Sequence, residues 1–312
     1  MTRDLSILIP SFNEGKSIHE LFSRIDNVAK LYLLNVQLIL VDDGSTDDTE
    51  KIASSYKSRN IKSITYIKFR KNLGKSEALS EGIIHANFDL ILTLDADLQD
   101  RPEEIIKLLT KLDEGYDLVS GRKSNRLDPL FSKKIPSYIF NLIIRKVLGT
   151  NFKDINSGFK LYKKEIWDEI DLYSDFHRFI PILAFNKGYK ITEVEVKHSR
   201  RIFGKSKYGI ERFSKGIFDL ITVYFLISYQ NRPFHFFGKL GFLLIFIGTL
   251  FLSYLGYLWS VGVSIGTRPL FSIAIFLLII GLQIILFGLL SQLLISLSRE
   301  KRKRSISIVK KL

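Results

Sequence analysis

An apolar, β-prone run, Leu90-Ile91-Leu92-Thr93-Leu94, breaks off into Asp95-Ala96-Asp97-Leu98-Gln99-Asp100, which sets three carboxylates and an amide within six residues. On a continuing strand Asp95 and Asp97 would share one face. Their oxygens, with the Gln99 amide, suit a hard cation such as Mg²⁺ or Mn²⁺, typically held by one or two protein carboxylates and by substrate phosphate oxygens. The same residues also read as a strand end followed by a helix start, with Asp100 capping ahead of Pro102-Glu103-Glu104. The motif alone does not choose between these readings.

Three further polar clusters close strand-like runs. Pro10-Ser11-Phe12-Asn13-Glu14 follows Leu5–Ile9, Asp42-Asp43-Gly44-Ser45-Thr46-Asp47 follows Val36–Val41, and Asn72-Leu73-Gly74-Lys75 follows Ser63–Lys68. Each has a plain reading as turn or cap. The second misplaces the glycine and glutamate of a calcium loop. Gly74-Lys75 lacks the upstream glycine of a P-loop, and the chain contains no G-x-G-x-x-G. Four clusters at four successive strand ends are harder to explain as caps alone.

The elements that must position them alternate. Helical patterns at Ser17–Leu31, Asp47–Ser58, Lys75–Ala86 and Pro102–Glu114 separate the strands Leu5–Ile9, Val36–Val41, Ser63–Lys68, Leu90–Leu94 and Leu118–Ser120. This predicts an α/β domain with a mostly parallel sheet covered by helices on both faces. Ligands then belong at the carboxyl ends of the strands.

Composition narrows the class. The 312 residues include no cysteine, which excludes disulfides and thiolate metal sites, and the five histidines show no zinc-like spacing. A formal charge of +14 without a basic arm or RNA-binding aromatic signature argues for an anionic membrane rather than nucleic acid. From Leu240 to Val263 and from Leu270 to Leu297 no charged residue occurs, so each run is long enough to cross the roughly 30 Å hydrocarbon core. Arg299, Lys301, Arg302, Lys303, Arg304, Lys310 and Lys311 crowd the tail, whereas the intervening loop carries only Arg268. The positive-inside rule therefore predicts both ends in the cytoplasm. With no secretory signal read at the N-terminus, the expectation is a multi-pass protein of the cytoplasmic (inner) membrane. Basic amphipathic stretches at about 130–148 and at Tyr208–Tyr229 read as interfacial helices. The expected organisation is a catalytic domain over 1–206, a second interfacial helix or linker over 207–233, two spans over 234–298 and a basic tail over 299–312. Gln283 and Gln292 within the second span leave room for a homo-oligomer.

Ile9-Pro10-Ser11-Phe12-Asn13-Glu14, Val41-Asp42-Asp43-Gly44-Ser45, Asp95-Ala96-Asp97-Leu98-Gln99-Asp100 and Asn156-Ser157-Gly158-Phe159-Lys160 together resemble family 2 glycosyltransferases of the GT-A fold. More narrowly they resemble the polyprenyl-phosphate sugar synthases, such as bactoprenol glucosyltransferases and dolichol-phosphate mannose synthase. The resemblance implies that Pro10, Phe12, Glu14 and Asp42 hold the nucleotide, with Lys75 and Ala96 counted among the donor-binding residues. It implies that Asp95, Asp97 and Gln99 bind the divalent ion. Gly121-Arg122 resembles the family's Gly-x-Arg, whose arginine meets the lipid phosphate, with Lys133 and Ser137 completing that acceptor site. Arg201 or Lys205, in a loop resembling the one that closes over the donor, would neutralise the diphosphate. Asp154 is a candidate to orient the sugar or acceptor phosphate, with a turn or cap as its plain alternative. His177 lies where related enzymes contact sugar or acceptor, although a lone histidine is more often structural.

The implied reaction is an inverting transfer of a hexose, glucose from UDP-glucose put forward first, to polyprenyl (undecaprenyl) phosphate. The alternatives are a dolichol-phosphate-mannose-type synthase using GDP-mannose or another sugar, and a non-catalytic nucleotide-sugar sensor or scaffold. A processive polysaccharide synthase is disfavoured because no Gln-x-x-Arg-Trp motif occurs. A transporter is disfavoured because two spans cannot supply inverted repeats.

Overall fold

A computed structural model describes residues 3–123, 152, 154, 157–170, 172, 176–199, 221–229, 232–266 and 268–298. Contacts divide the chain into two units, Met1–Val223 and Tyr224–Leu312.

The first unit is built on seven strands: β1 (Arg3–Ser11), β2 (Leu34–Asp42), β3 (Ile61–Lys68), β4 (Leu90–Thr93), β5 (Leu118–Lys123), β6 (Lys160–Lys163) and β7 (Ile191–Val196). Among the described residues its α-helices are α1 (Gly15–Leu31), α2 (Thr49–Ser55), α3 (Lys75–Ile84), α4 (Ile105–Asp113) and α5 (Ile180–Asn186). Strand order is β3-β2-β1-β4-β6-β5-β7. Parallel pairing joins β3, β2, β1 and β4, and again β5 and β7, while β6 runs antiparallel to both its neighbours.

Strands buried on both faces need apolar side chains at every position. Residues Leu5, Ile7 and Ile9 pack on one face with Leu21, Phe22 and Ile25 of α1 and Leu108 and Leu109 of α4. On the other face Leu8 and Ile39 meet Ala78 and Leu79 of α3 and Ile180 and Ala184 of α5. The buried positions of α1, Ile18, Leu21, Phe22, Ile25, Val28 and Ala29, recur at three and four residues, which is why this segment is an amphipathic helix.

The alternation read from sequence is present, with differences at two helices. The predicted helix Asp47–Ser58 shrinks to Thr49–Ser55 because Asp47 turns back to bind Gly15 and Thr49. The predicted helix Pro102–Glu114 opens with a 3-10 turn, Pro102–Glu104, before the α-helix. Strands β6 and β7 had no sequence prediction. Chain order reverses beside β4, since β1 pairs with β2 on one side and β4 on the other. Such a switch point opens a crevice at the carboxyl ends of the strands.

In the second unit two helices form a hairpin, α6 (Pro233–Ser260) and α7 (Pro269–Ser298). Both are long and apolar enough to cross a membrane. Side chains such as Phe242, Phe246, Leu282, Phe287 and Leu294 are more than half exposed, unlike those of a core helix. The pair approaches closely at Gly241 and Gly281. A Cβ on Gly241 would lie 2.6 Å from the Gly281 carbonyl oxygen, and one on Gly281 would lie 2.8 Å from that of Gly241. Small residues at the crossing let apolar helices pack backbone to backbone.

Candidate active site

Strand β4 ends at Thr93, and the chain then makes a tight turn. Leu98 has φ 60°, a left-handed conformation that a branched side chain adopts only when its surroundings impose it. Here the imposed feature is burial, since the Leu98 side chain is fully enclosed in the core beneath the site. The turn brings Asp97 and Gln99 together, with the Gln99 N–H donating to Asp97 Oδ1 at 3.1 Å. Asp97 is buried, Asp95 and Gln99 are partly exposed, and the Ala96 methyl packs in the core.

Lys75 opens α3 and forms an ion pair with Asp95 Oδ1. Burial alone would raise the Asp95 carboxyl, but Lys75, aided by Lys123 and Lys160, holds it below the usual carboxylate range. Asp100 is enclosed without a hydrogen-bond partner for Oδ1 among the described residues. Burial, reinforced by Asp95 and Asp97 against the opposing pull of Lys123, pushes it up to about 6.

The neighbouring loops are stitched together by side chains. Asn13 (φ 54°) donates its N–H to Ser45 Oγ at 2.8 Å, and its Oδ1 accepts the Thr46 N–H at 2.9 Å. Asp47 accepts the Gly15 N–H at 3.0 Å, and Thr49 Oγ1 accepts that of Glu14 at 3.2 Å. Pro10, Phe12 and Glu14 are held at this joint, each partly exposed. Asp42 is fully buried. Its Oδ1 accepts the Ser45 N–H at 2.7 Å and its Oδ2 accepts the Tyr66 hydroxyl at 2.5 Å. Burial and this carboxylate together push the Tyr66 phenol far up.

Asp43 was not singled out by sequence, yet it grips the third loop. It accepts the N–H groups of Leu73 at 2.6 Å and Gly74 at 2.9 Å. Gly74 sits at φ 101°, where a side chain would be strained. This grip delivers Lys75 to Asp95. Ser76 Oγ lies 3.0 Å from His177 Nδ1 and accepts the His177 N–H at 3.2 Å, so the histidine joins the same corner.

Arg122 and Lys123 end β5. Arg122 pairs with Glu195 across β7 at 3.1 Å. The buried Asp154 donates its backbone N–H to Glu193 Oε1 at 2.8 Å. The chain after β7 runs beside the acidic turn, with a bridge between Asp100 and His198, the Ser199 N–H donating to the Gln99 carbonyl at 2.9 Å, and Arg101 donating to Ser199 Oγ at 2.8 Å. Lys133, Ser137, Arg201, Lys205 and the two interfacial stretches, apart from 221–229 of the second, lie outside the described residues.

Lys160 is a second residue that sequence reasoning left without a role. It is buried at the start of β6. Burial and the repulsion of Lys75 push it down to about 7, while Asp95, Asp154 and Asp100 pull it upward. A buried lysine carries no periodicity signal. Its placement follows from the reversal of β6, which no local pattern announced.

Among the described residues no group of three His, Cys, Asp or Glu side chains forms a self-sufficient metal cage. Two carboxylates at a strand end fit a Mg²⁺ or Mn²⁺ ion whose remaining ligands come from a diphosphate and water. That arrangement suits charge stabilisation on a departing diphosphate rather than nucleophilic catalysis by the protein.

Comparison with known proteins bears on the family and the fold. Residues 6–171 match the model of glycosyl transferase family 2. The chain is 37% identical over 295 residues to dodecaprenyl-phosphate galacturonate synthase of Rhizobium johnstonii, covering 93% of this chain and 87% of that protein. It is 34% identical over 292 residues to undecaprenyl-phosphate 4-deoxy-4-formamido-L-arabinose transferase of Enterobacter sp., covering 92% and 87%. Among solved structures, glucosyl-3-phosphoglycerate synthase of Mycobacterium tuberculosis in complex with Mn²⁺ and UDP-glucose aligns with TM-score 0.56 at 21% identity, covering 73% of this chain and 81% of that one. The last similarity is one of fold.

Proposed function

The chain belongs to glycosyl transferase family 2, and from that membership we propose that it transfers a hexose from a nucleotide sugar to polyprenyl phosphate, with inversion, at the cytoplasmic face of the inner membrane. The observation that carries this reading is the Asp95–Asp97 turn at the sheet's switch point, in a chain that also has two apolar helices long enough to span a bilayer.

Asp95, Asp97 and Gln99 would hold a Mg²⁺ or Mn²⁺ ion, which when bound draws charge from the leaving diphosphate. Lys75, at the positive end of α3, adds a cation to the same task. Arg201 or Lys205 completes it in this proposal. Pro10, Phe12 and Glu14 cradle the nucleotide, and Asp42, buried beneath them, braces that site through Ser45 and Tyr66. Arg122, with Lys133 and Ser137, receives the acceptor phosphate, which competes with Glu195 for the guanidinium. Asp154 orients the sugar or the acceptor. A phosphate monoester has a second pKa near about 6, so at neutral pH its oxygen attacks the anomeric carbon without a protein base. Single displacement turns an α-linked donor into a β-linked lipid phosphosugar. The catalytic domain occupies 1–206, the linker 207–233, the spans 234–298 and the basic cytoplasmic tail 299–312.

UDP-glucose is the first donor to try. Galacturonate and 4-deoxy-4-formamido-L-arabinose, named in the relatives, join mannose beside it. Detergent-purified protein is incubated with undecaprenyl phosphate, Mg²⁺ or Mn²⁺ and each nucleotide sugar, and the lipid fraction is weighed by mass spectrometry. One donor should add a single sugar mass to the lipid phosphate. Nucleotide binding without product from any donor would instead favour a sensor.

A further inference from the structure

The Ser157–Lys160 segment has no role in the reaction described so far, although it sits against its centre. Because β6 runs antiparallel to β4, its first residues lie at the edge where β4 ends, with Lys160 opposite Thr93 on one side and Ser120 on the other. The segment is pinned throughout. Thr93 Oγ1 donates to the Gly158 carbonyl at 2.8 Å, Lys160 Nζ donates to the Ser157 carbonyl, and the Phe159 N–H donates to Ser157 Oγ at 3.3 Å. The Gly121 N–H donates to the Phe159 carbonyl at 2.8 Å.

Gly158 is therefore fixed in place, and what lies over it is the Asp95 carboxylate. A Cβ at this position would stand 2.5 Å from Asp95 Oδ2, 2.7 Å from Cγ and 2.7 Å from Oδ1, and these are its nearest neighbours. Gly158 lies outside the left-handed region, so the glycine is needed for volume and not for backbone freedom. An alanine fits the backbone but evicts the carboxylate.

We propose that Gly158, held by Thr93 beside the Ser157 carbonyl that Lys160 clasps, is a positioning residue that reserves the space occupied by the Asp95 carboxylate and so fixes its aim at the metal and donor diphosphate. This deepens the reading above and rests on it. Groups that orient a ligating carboxylate typically change metal affinity by about 10–100-fold when altered.

The test measures Mn²⁺ binding to the full chain in detergent by electron paramagnetic resonance, with UDP present, for wild type, Gly158→Ala and Thr93→Val. Thermal unfolding is followed beside it. Gly158→Ala should unfold within a few degrees of wild type and bind Mn²⁺ at least about tenfold more weakly. Thr93→Val keeps shape and strand preference while removing the hydroxyl that pins Gly158, and should weaken Mn²⁺ several-fold. A folded Gly158→Ala protein with wild-type Mn²⁺ affinity overturns the proposal. If that variant does not fold, wild-type affinity in Thr93→Val overturns it equally. Wild-type protein that binds UDP but no Mn²⁺ would overturn the metal reading itself, which separates the two failures.

Discussion

Asp43 and Lys75 show how a single side chain sets the position of another one loop away. Two N–H groups, those of the exposed Leu73 and the partly exposed Gly74, depend on the Asp43 carboxylate, and hydrogen bonds to a charged group contribute about 1.5–3 kcal/mol each, less where water reaches them. Asp43→Ala should therefore lower stability by about 2–4 kcal/mol, seen as a fall in the thermal midpoint. It should also raise the donor KM, because Lys75 loses its fixed approach to Asp95. A midpoint unchanged from wild type would refute the first expectation. At this scale the sequence singled out Asp95, Asp97 and Gln99 by residue type alone, and the structure sets the three in one turn at the end of β4. Residue type assigned Asp43, Gly158 and Lys160 no individual role beyond membership of a motif, because what they touch depends on which carbonyl, N–H or carboxylate stands opposite them. Those partners are between 30 and 65 residues away for Asp43 and Thr93–Gly158, beyond any local pattern.

Element by element, the hydrophobic pattern carried most of the first half of the sheet, since parallel strands buried on both faces appear as unbroken apolar runs. It failed at β6, four residues long, and at β7, whose Ile191-Thr192-Glu193-Val194-Glu195-Val196 is only partly buried. The joint between α1 and β3 illustrates how polar residues fix element ends. Asp26 accepts Asn60 N–H at 3.0 Å and Asn60 Nδ2 at 2.9 Å, and also the Ser58 hydroxyl. Burial pulls its carboxyl upward, but these hydrogen bonds outweigh it and leave it below its ordinary value of 3.8. A folded-state pKa below the unfolded one means the stabilisation is complete above the unfolded pKa and disappears as pH falls through the folded pKa. Denaturation of wild type and Asp26→Ala should thus differ at neutral pH and converge below pH about 3.8. A gap that persists in acid would show the contribution to be steric.

For the whole molecule, the absence of cysteine turns topology into a clean labelling experiment. Ser264, exposed in the α6–α7 connection, and Ser54, exposed in α2, can each become the only thiol. Ser264→Cys should react with a membrane-impermeant maleimide in intact cells, and Ser54→Cys only after permeabilisation. The reverse pattern would place the catalytic domain outside and remove its access to cytoplasmic nucleotide sugars. The two long apolar helices were legible because about 24 uncharged residues in a row exceed what the hydrocarbon core requires, and the orientation expected from the basic tail is what the labelling tests.

The most direct measurement is the transfer assay run with wild type and Asp97→Asn, scoring lipid phosphosugar and nucleotide binding in the same preparations. Wild type should convert undecaprenyl phosphate with one nucleotide sugar, lose that activity when divalent ions are chelated, and regain it with Mn²⁺ or Mg²⁺. Asp97→Asn, folded and still binding nucleotide, should lose at least about two orders of magnitude in rate, the scale on which electrostatic stabilisation of a leaving group is missed. Undiminished transfer by Asp97→Asn, or transfer indifferent to chelation, would contradict the assignment of the chemistry to the Asp95–Asp97 turn.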